Sequence, residues 1–166
     1  PTVIMSTEAI TCDGPVVLKA QVPFGGRGKA GAVKFAASAD EARRAAAELL
    51  RMELRGVRVT SVSVEPKLTF SRELYVAIAW DTTAKLPVAL LSLAGGVDVE
   101  ASRQVARRHF DPWSGLWAYE GRRMAAEVGL TGKTLVGLGG VLEKLAGAFL
   151  ACDAVLMEIN PLAITK

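Results

Sequence analysis

Between Val16 and Ala36 an apolar run is interrupted by Gly25, Gly26, Gly28 and Gly31, with Lys19 ahead of the glycines and Arg27 and Lys29 among them. Such a segment can do phosphate chemistry. Glycine amides approach phosphate oxygens closely because no side chain obstructs them. Arg27 and Lys29 would add mobile positive charge above the phosphates, and Lys19 would reach them from beside a sheet. The same residues also suit a flexible hairpin loop kept soluble by two exposed cations. Residue chemistry alone divides evenly between the two.

Near the other end, Glu158 and Asn160 share a face if the chain is extended there, since alternate residues point the same way. They would offer two oxygen ligands of the kind Mg²⁺ takes; alternatively, Asn160 forms a turn before Pro161. Glu65 and Glu73 flank a turn between strands, and either face a cleft or are solvated loop and edge residues. His109, the sole histidine, follows two arginines and precedes a Phe-Asp-Pro turn, with no nucleophile relay beside it. It reads as a surface or capping residue. Two likenesses to a P-loop fail. Gly132-Lys133-Thr134 has Glu127 where the first glycine belongs, and Gly28-Lys29 has Pro23 and Ala30 at the defining positions. Gly137-Leu138-Gly139-Gly140 lacks a preceding strand, which favours close helix packing over a dinucleotide loop.

These side chains need elements to hold them. Val16 to Val22 reads as a strand and Ala32 to Ala36 resumes the pattern, so the glycine segment joins two adjacent strands. Pro1 to Met5 is a short strand, followed by a polar stretch ending in the turn Asp13-Gly14-Pro15. Ser38 with Glu41 forms a capping box for a helix whose apolar face is Ala42, Ala45, Ala46, Leu49 and Leu50, and Gly56 stops it. Arg58 to Glu65 and Glu73 to Trp80 are strands, the latter with Pro87 to Leu93 as hairpin partner. Asp98 to Arg108 is charged and compatible with a helix; Asp111 to Gly115 is a turn. Leu116 to Val128 and Lys133 to Leu150 are helices, the second with a buried stripe of Leu135, Leu138, Leu142, Leu145 and Phe149. Asp153 to Ile159 is a strand, and another short strand follows Asn160-Pro161. Strands and helices mix without a regular alternation, which predicts an α+β fold rather than a doubly wound sheet.

Composition narrows the function classes. The 166 residues suffice for one sizeable core or two small lobes sharing a cleft. The net charge of +3 is weak and its cations are scattered, so no nucleic-acid partner is expected. Cys12 and Cys152 form neither a disulfide scaffold nor a metal spacing, and read as free thiols in a reducing, cytoplasmic compartment. No stretch is expected to reach the roughly 20 apolar residues of a membrane span, and Pro1 to Ser6 lacks the features of a secretory signal. The missing initiator methionine, with Ile164-Thr165-Lys166 ending the chain directly after a strand, suggests a fragment.

Val16-Val17-Leu18-Lys19-Ala20-Gln21-Val22 followed by Gly25-Gly26-Arg27-Gly28-Lys29-Ala30-Gly31 resembles the phosphate-binding hairpin that opens the succinyl-CoA synthetase beta chain. Val64-Glu65, Arg72-Glu73-Leu74-Tyr75, Gly95-Gly96-Val97-Asp98-Val99-Glu100 and Glu158-Ile159-Asn160-Pro161-Leu162 continue the likeness in order and spacing from Gly14 onward. Malate-CoA ligase and other nucleoside-diphosphate-forming acyl-CoA synthetases share this set, so it defines the broader family better than the acid. Leu93-Ala94 stands where that family commonly has Thr-Glu. The resemblance implies an ATP-grasp fold of two lobes around a nucleotide cleft, here a partial domain. A nucleotide-clamping lobe would span about 14–92 and a second-lobe portion about 93–166, with the CoA-ligase domain lying downstream.

It further implies binding of ATP/ADP or GTP/GDP with Mg²⁺. Lys19 would contact phosphates, Gly26, Arg27 and Gly28 would form the covering loop, and Glu65 and Glu73 would lie by the adenine and ribose. Asn160 would sit on the metal, and Glu158 would meet a phosphohistidine loop of the partner. That partner, an alpha subunit, would carry the phosphohistidine and most CoA contacts, with succinate or another small carboxylic acid as substrate. The isolated chain is then expected to be catalytically incompetent, lacking a final carboxylate metal ligand and the phosphoryl acceptor. A nonenzymatic nucleotide-binding or subunit-assembly module is the second reading.

Overall fold

A computed structural model describes residues 2–95 and 105–165. The chain divides into two compact units, Pro1–Thr69 and Phe70–Lys166. The hairpin formed by the strands Phe70–Asp81 and Leu86–Ser92 lies wholly within the second unit.

The first unit contains β1 (Thr2–Ile4), a short 3-10 turn, β2 (Val16–Ala20), β3 (Val33–Ala36), α1 (Ala39–Leu50), β4 (Glu53–Leu54), β5 (Val57–Arg58) and β6 (Val62–Pro66). The main sheet runs β1-β6-β2-β3, antiparallel throughout. Leu18, Ala20 and Val62 are fully buried and share one core with Ala42, Ala46 and Leu49 of α1. Period-2 alternation then turns Val17, Lys19, Ser63 and Glu65 to the other face. The start of α1 behaves as its sequence predicts. Ser38 Oγ accepts from the Glu41 amide at 3.3 Å, and the Glu41 carboxylate accepts from the Ala37 amide at 2.8 Å.

Gly56 does not stop that helix, which ends six residues earlier. Arg55 and Gly56, with φ of 50° and 78°, form the two-residue turn of the β4–β5 hairpin. Such turns need positive φ at both positions, which is why glycine stands there.

The second unit contains β7 (Phe70–Asp81), β8 (Leu86–Ser92), β9 (Val105–His109), α2 (Ala118–Glu127), α3 (Gly132–Ala151) and β10 (Leu156–Thr165), with the antiparallel sheet ordered β10-β7-β8-β9. Leu74, Val76 and Ile78 of β7 pack with Ala89 and Leu91 of β8 beneath Met124, Leu142 and Phe149 of the helices. α2 and α3 cross tightly: a Cβ on Gly121 would lie 3.0 Å from Gly139 Cα.

Three expectations are corrected here. Residues 105–108 are strand, paired from Ser92↔Val105 to Val88↔His109, not helix; the rest of the expected helix, 98–104, lies outside the described residues. The charges that suggested a helix suit an edge strand equally well. β10 is one strand rather than two, with its register breaking between Ile159 and Leu162. α3 is also 20 residues long and, by length and composition, apolar enough to cross a membrane. The expectation that no stretch approaches a membrane span does not hold for this helix. In this fold the Leu138, Leu142, Leu145 and Phe149 stripe is buried in the core of the second unit.

Candidate functional site

In the first unit, β2 and β6 place Lys19 opposite Ser63 and Val17 opposite Glu65. Lys19 Nζ donates to Glu65 Oε2 at 2.9 Å across the diagonal, and Ser63 Oγ donates to Glu65 Oε1 at 3.2 Å. The Lys19 ammonium, ahead of Ser63, holds the Glu65 carboxyl below its ordinary range. The pair is one-third exposed, with 34% and 32% of the two side chains accessible. It therefore contributes little to folding and leaves a cation and a carboxylate available on an open sheet face.

The glycine segment joins β2 to β3 as the sequence predicts, and it is not a loose loop. The amides of Ala30, Gly31 and Ala32 donate to the carbonyls of Gly26, Gly28 and Arg27 at 3.2, 3.1 and 2.9 Å. Arg27 folds back to donate to the Ala20 carbonyl at 3.2 Å, while Lys29 is exposed. Gly26 has φ of 82°, and Arg55 lies 5.0 Å over the Phe24 ring beside it. Sequence reasoning did not find Ser63 or Arg55. Ser63 could have been found, since it lies two residues from Glu65 on the same strand face.

In the second unit, Glu73 and Tyr75 lie on the β7 face opposite the helices, since their neighbours Leu74 and Val76 are fully buried. β10 pairs Glu158 with Ala77, which puts Glu158 on that face, and Asn160 is two residues further on. Both are exposed. Tyr75 alternates with Glu73 on this face and lies diagonal to Glu158 across the β7–β10 register, a neighbour that the sequence did not reveal. Burial first, then the Glu158 carboxylate, push the Tyr75 phenol up to about 12 from 10.0. His109 is exposed as expected, but it has a carboxylate partner that sequence reasoning missed: its Nε2 lies 2.8 Å from Asp81 Oδ2. Asp81 Oδ1 also accepts from the Thr83 and Ala84 amides, so the pair ties β9 to the β7–β8 hairpin. The two residues are 28 apart in sequence, which hid the pairing.

The profile of the ATP-grasp domain family matches residues 5–164. The chain belongs to the ATP-grasp family. Its α+β architecture is accordingly an ATP-grasp fold, and the beta-chain resemblance seen in the sequence is supported by relatives. The chain is 40% identical over 156 residues to the ADP-forming succinate–CoA ligase subunit beta of Natronomonas pharaonis, covering 91% of this chain and 41% of that one. It is 42% identical over 157 residues to the same subunit of Rubrobacter xylanophilus, covering 92% and 41%. The chain thus spans about two-fifths of the length of the curated relatives it matches. Among solved structures, a Pyrococcus horikoshii protein superposes with a TM-score of 0.75 at 20% identity, covering 100% of this chain and 78% of that one. The dinucleotide-forming acetyl-coenzyme A synthetase 1 of Candidatus Korarchaeum cryptofilum, solved with coenzyme A, gives 0.65 at 22%, covering 91% and 71%.

The surroundings of Tyr75 in this ATP-grasp chain have a measurable signature. The ultraviolet phenolate absorbance should show one of the two tyrosines titrating near 12, absent in Tyr75→Phe and shifted toward 10 in Glu158→Gln. The neutral phenol is the form the fold favours, so its contribution to stability is complete below pH 10 and is lost as pH rises toward 12. A Tyr75 titration unmoved by Glu158→Gln would show that the Glu158 charge does not act on the phenol in solution.

Proposed function

We propose that this chain is the nucleotide-binding portion of an ADP- or GDP-forming acid–CoA ligase of the succinyl-CoA synthetase beta type. It would move a phosphoryl group between the nucleotide and a phosphohistidine carried by an alpha partner chain. The observation that carries this reading is Lys19, paired with Glu65 on the open sheet face from which the self-bonded glycine loop springs. The 40% identity to succinate–CoA ligase beta subunits supports the substrate class.

In this reading Lys19 exchanges Glu65 for phosphate oxygens, a charge-assisted bond of the stronger kind. The amides of Ala30 to Ala32 are committed within the loop, and those of Gly25, Gly26 and Gly28 take no part in those bonds. They would be the amides that cover phosphates, with Arg27 holding the loop against β2 through the Ala20 carbonyl. Glu65 and Glu73 offer carboxylate acceptors for the base and the ribose hydroxyls. Glu158 meets the partner's phosphohistidine loop. Succinate or another small acid and CoA would be handled largely with the partner.

The donor set fits Mg²⁺ in one mode only. Among the described residues no three His, Cys, Asp or Glu side chains gather to hold a metal. Asn160 would therefore give one oxygen, with phosphate oxygens and water completing the octahedron Mg²⁺ demands. When bound, the ion would neutralise charge on the phosphates. The free thiols Cys12 and Cys152 agree with a reducing, cytoplasmic setting.

Lys19→Ala in the full-length chain should weaken Mg-nucleotide binding about tenfold, or ~1.4 kcal/mol, as expected for losing a bond to a charged group. Glu65 is left partly solvated, so folding should be nearly unaffected. Calorimetry on both proteins decides it: equal affinities with both folded would remove Lys19 from the site and this reading with it.

A further inference from the structure

We propose that Phe35 is the stacking platform for the nucleobase, its ring fixing where the base lies while Lys19 and the glycine loop take the phosphates; this rests on the nucleotide reading above. Phe35 is 65% exposed. Alternation along β3 explains its placement. Ala36 is buried in the core of the first unit and Lys34 pairs with Glu48 of α1, so Phe35 stands on the face turned away from that helix. The ring therefore adds nothing to the core. A single exposed apolar residue needs no explanation, but the register gives this one a place in the site.

Phe35 pairs with Val17, and Val17 pairs on its other side with Glu65. The three form one cross-strand row on the open sheet face. Lys19 and its partner Val33 form the next row, two residues along the strands and about 7 Å away. That is a separation the ribose of a nucleotide bridges between phosphate and base. Phosphates held at Lys19 thus set the base over the row of Phe35, Val17 and Glu65. Each member offers something different: Phe35 a π face, half-buried Val17 an apolar floor, and Glu65 an acceptor for a base amine once Lys19 has left it for phosphate. The ring face is also reachable. Lys67 Nζ lies 5.2 Å from the ring centroid, and Lys67 is itself exposed. A cation–π contact at an exposed site is weak, so a flat base displaces the ammonium and stacks in its place.

The test separates base from phosphate. Calorimetry on the full-length chain gives affinities for Mg-ADP, Mg-GDP and Mg-tripolyphosphate in the parent, Phe35→Ala, Phe35→Tyr and Lys19→Ala. So exposed a side chain can be removed without unfolding the chain. Phe35→Ala is expected to weaken the preferred nucleotide about tenfold, the scale of base–aromatic stacking, and to leave tripolyphosphate unchanged. Phe35→Tyr, which keeps a π face, should recover most of the loss, and Lys19→Ala should weaken both kinds of ligand. Unchanged nucleotide affinity in Phe35→Ala would overturn the platform role. Equal losses of nucleotide and tripolyphosphate, or a loss that tyrosine does not restore, would overturn it too. A parent that binds neither nucleotide, or a Lys19→Ala chain that binds both kinds of ligand as the parent does, would remove the nucleotide reading, and the role of Phe35 with it.

Discussion

Gly139→Ala is expected to lower the stability of the second unit by about 2 kcal/mol, whereas Gly140→Ala, one residue along the same helix, should raise it by up to ~1 kcal/mol. A Cβ on Gly139 would stand 2.5 Å from the Ala118 carbonyl oxygen and 2.7 Å from Arg122 Cγ. Arg122 can turn away, but the carbonyl belongs to the first residue of α2 and can only retreat by moving that helix. The α2–α3 crossing would open over Met124, Leu138 and Leu142. At Gly140, by contrast, a Cβ meets nothing within 4 Å, so the ordinary preference of helices for alanine prevails. All three tryptophans, Trp80, Trp113 and Trp117, lie in the second unit, so fluorescence-detected urea unfolding reports on it directly. Equal midpoints for the two variants would refute the close crossing.

The sequence could indicate that these glycines packed a helix, but not which one did. Gly137, Gly139 and Gly140 read alike in the helical pattern, and only the position of α2 distinguishes Gly139. The same limit shaped the rest of the fold. Elements with a local signal were legible: the Ser38–Glu41 cap, the alternation of β2 and β6, and the apolar stripe of α3. Failures arose where two local signals compete. Gly56 serves a hairpin turn as readily as a helix end. The arginines around 107 suit an exposed strand edge as well as a helix, and only pairing with β8 decides between them.

The candidate site divides in the same way. Lys19, Glu65 and the glycine loop were singled out by family likeness, since residue chemistry alone left a soluble hairpin loop equally open. Alternation suggested that Glu158 and Asn160 share a face, with a turn at Asn160 equally open, and the register of β10 breaks directly after Ile159. Ser63, two residues from Glu65 on its own strand, could have been read and was missed. Tyr75 and the His109–Asp81 pair were not legible, since each faces a residue on another strand. Register, which one residue of slip would invert, is what joins them.

Gly95→Ala should cost the second unit about 3 kcal/mol, at the upper end for overpacking. No positive φ requires glycine at this position, so the constraint is space alone. A Cβ there would lie 2.6 Å from the Leu74 carbonyl oxygen and 2.9 Å from both the Leu74 carbonyl carbon and amide nitrogen. All three are backbone atoms, and no rotamer change relieves them. Leu74 is fully buried and paired with Leu162 of β10, so β7 cannot yield without disturbing the core. The residues on either side of Leu74 are Glu73 and Tyr75, which ties this packing contact to the site: a shift that accommodates the methyl moves both side chains. The variant should therefore show an early urea midpoint by tryptophan fluorescence. In any folded fraction, the Tyr75 titration should also move back toward 10 as the phenol loses burial. Gly137→Ala, in the same unit and with nothing within 4 Å of a Cβ, is the control and should not lower the midpoint. A Gly95→Ala protein as stable as that control would mean that the backbone at 95 does not press on β7, and the coupling between this turn and the Glu73–Tyr75 face would fall with it.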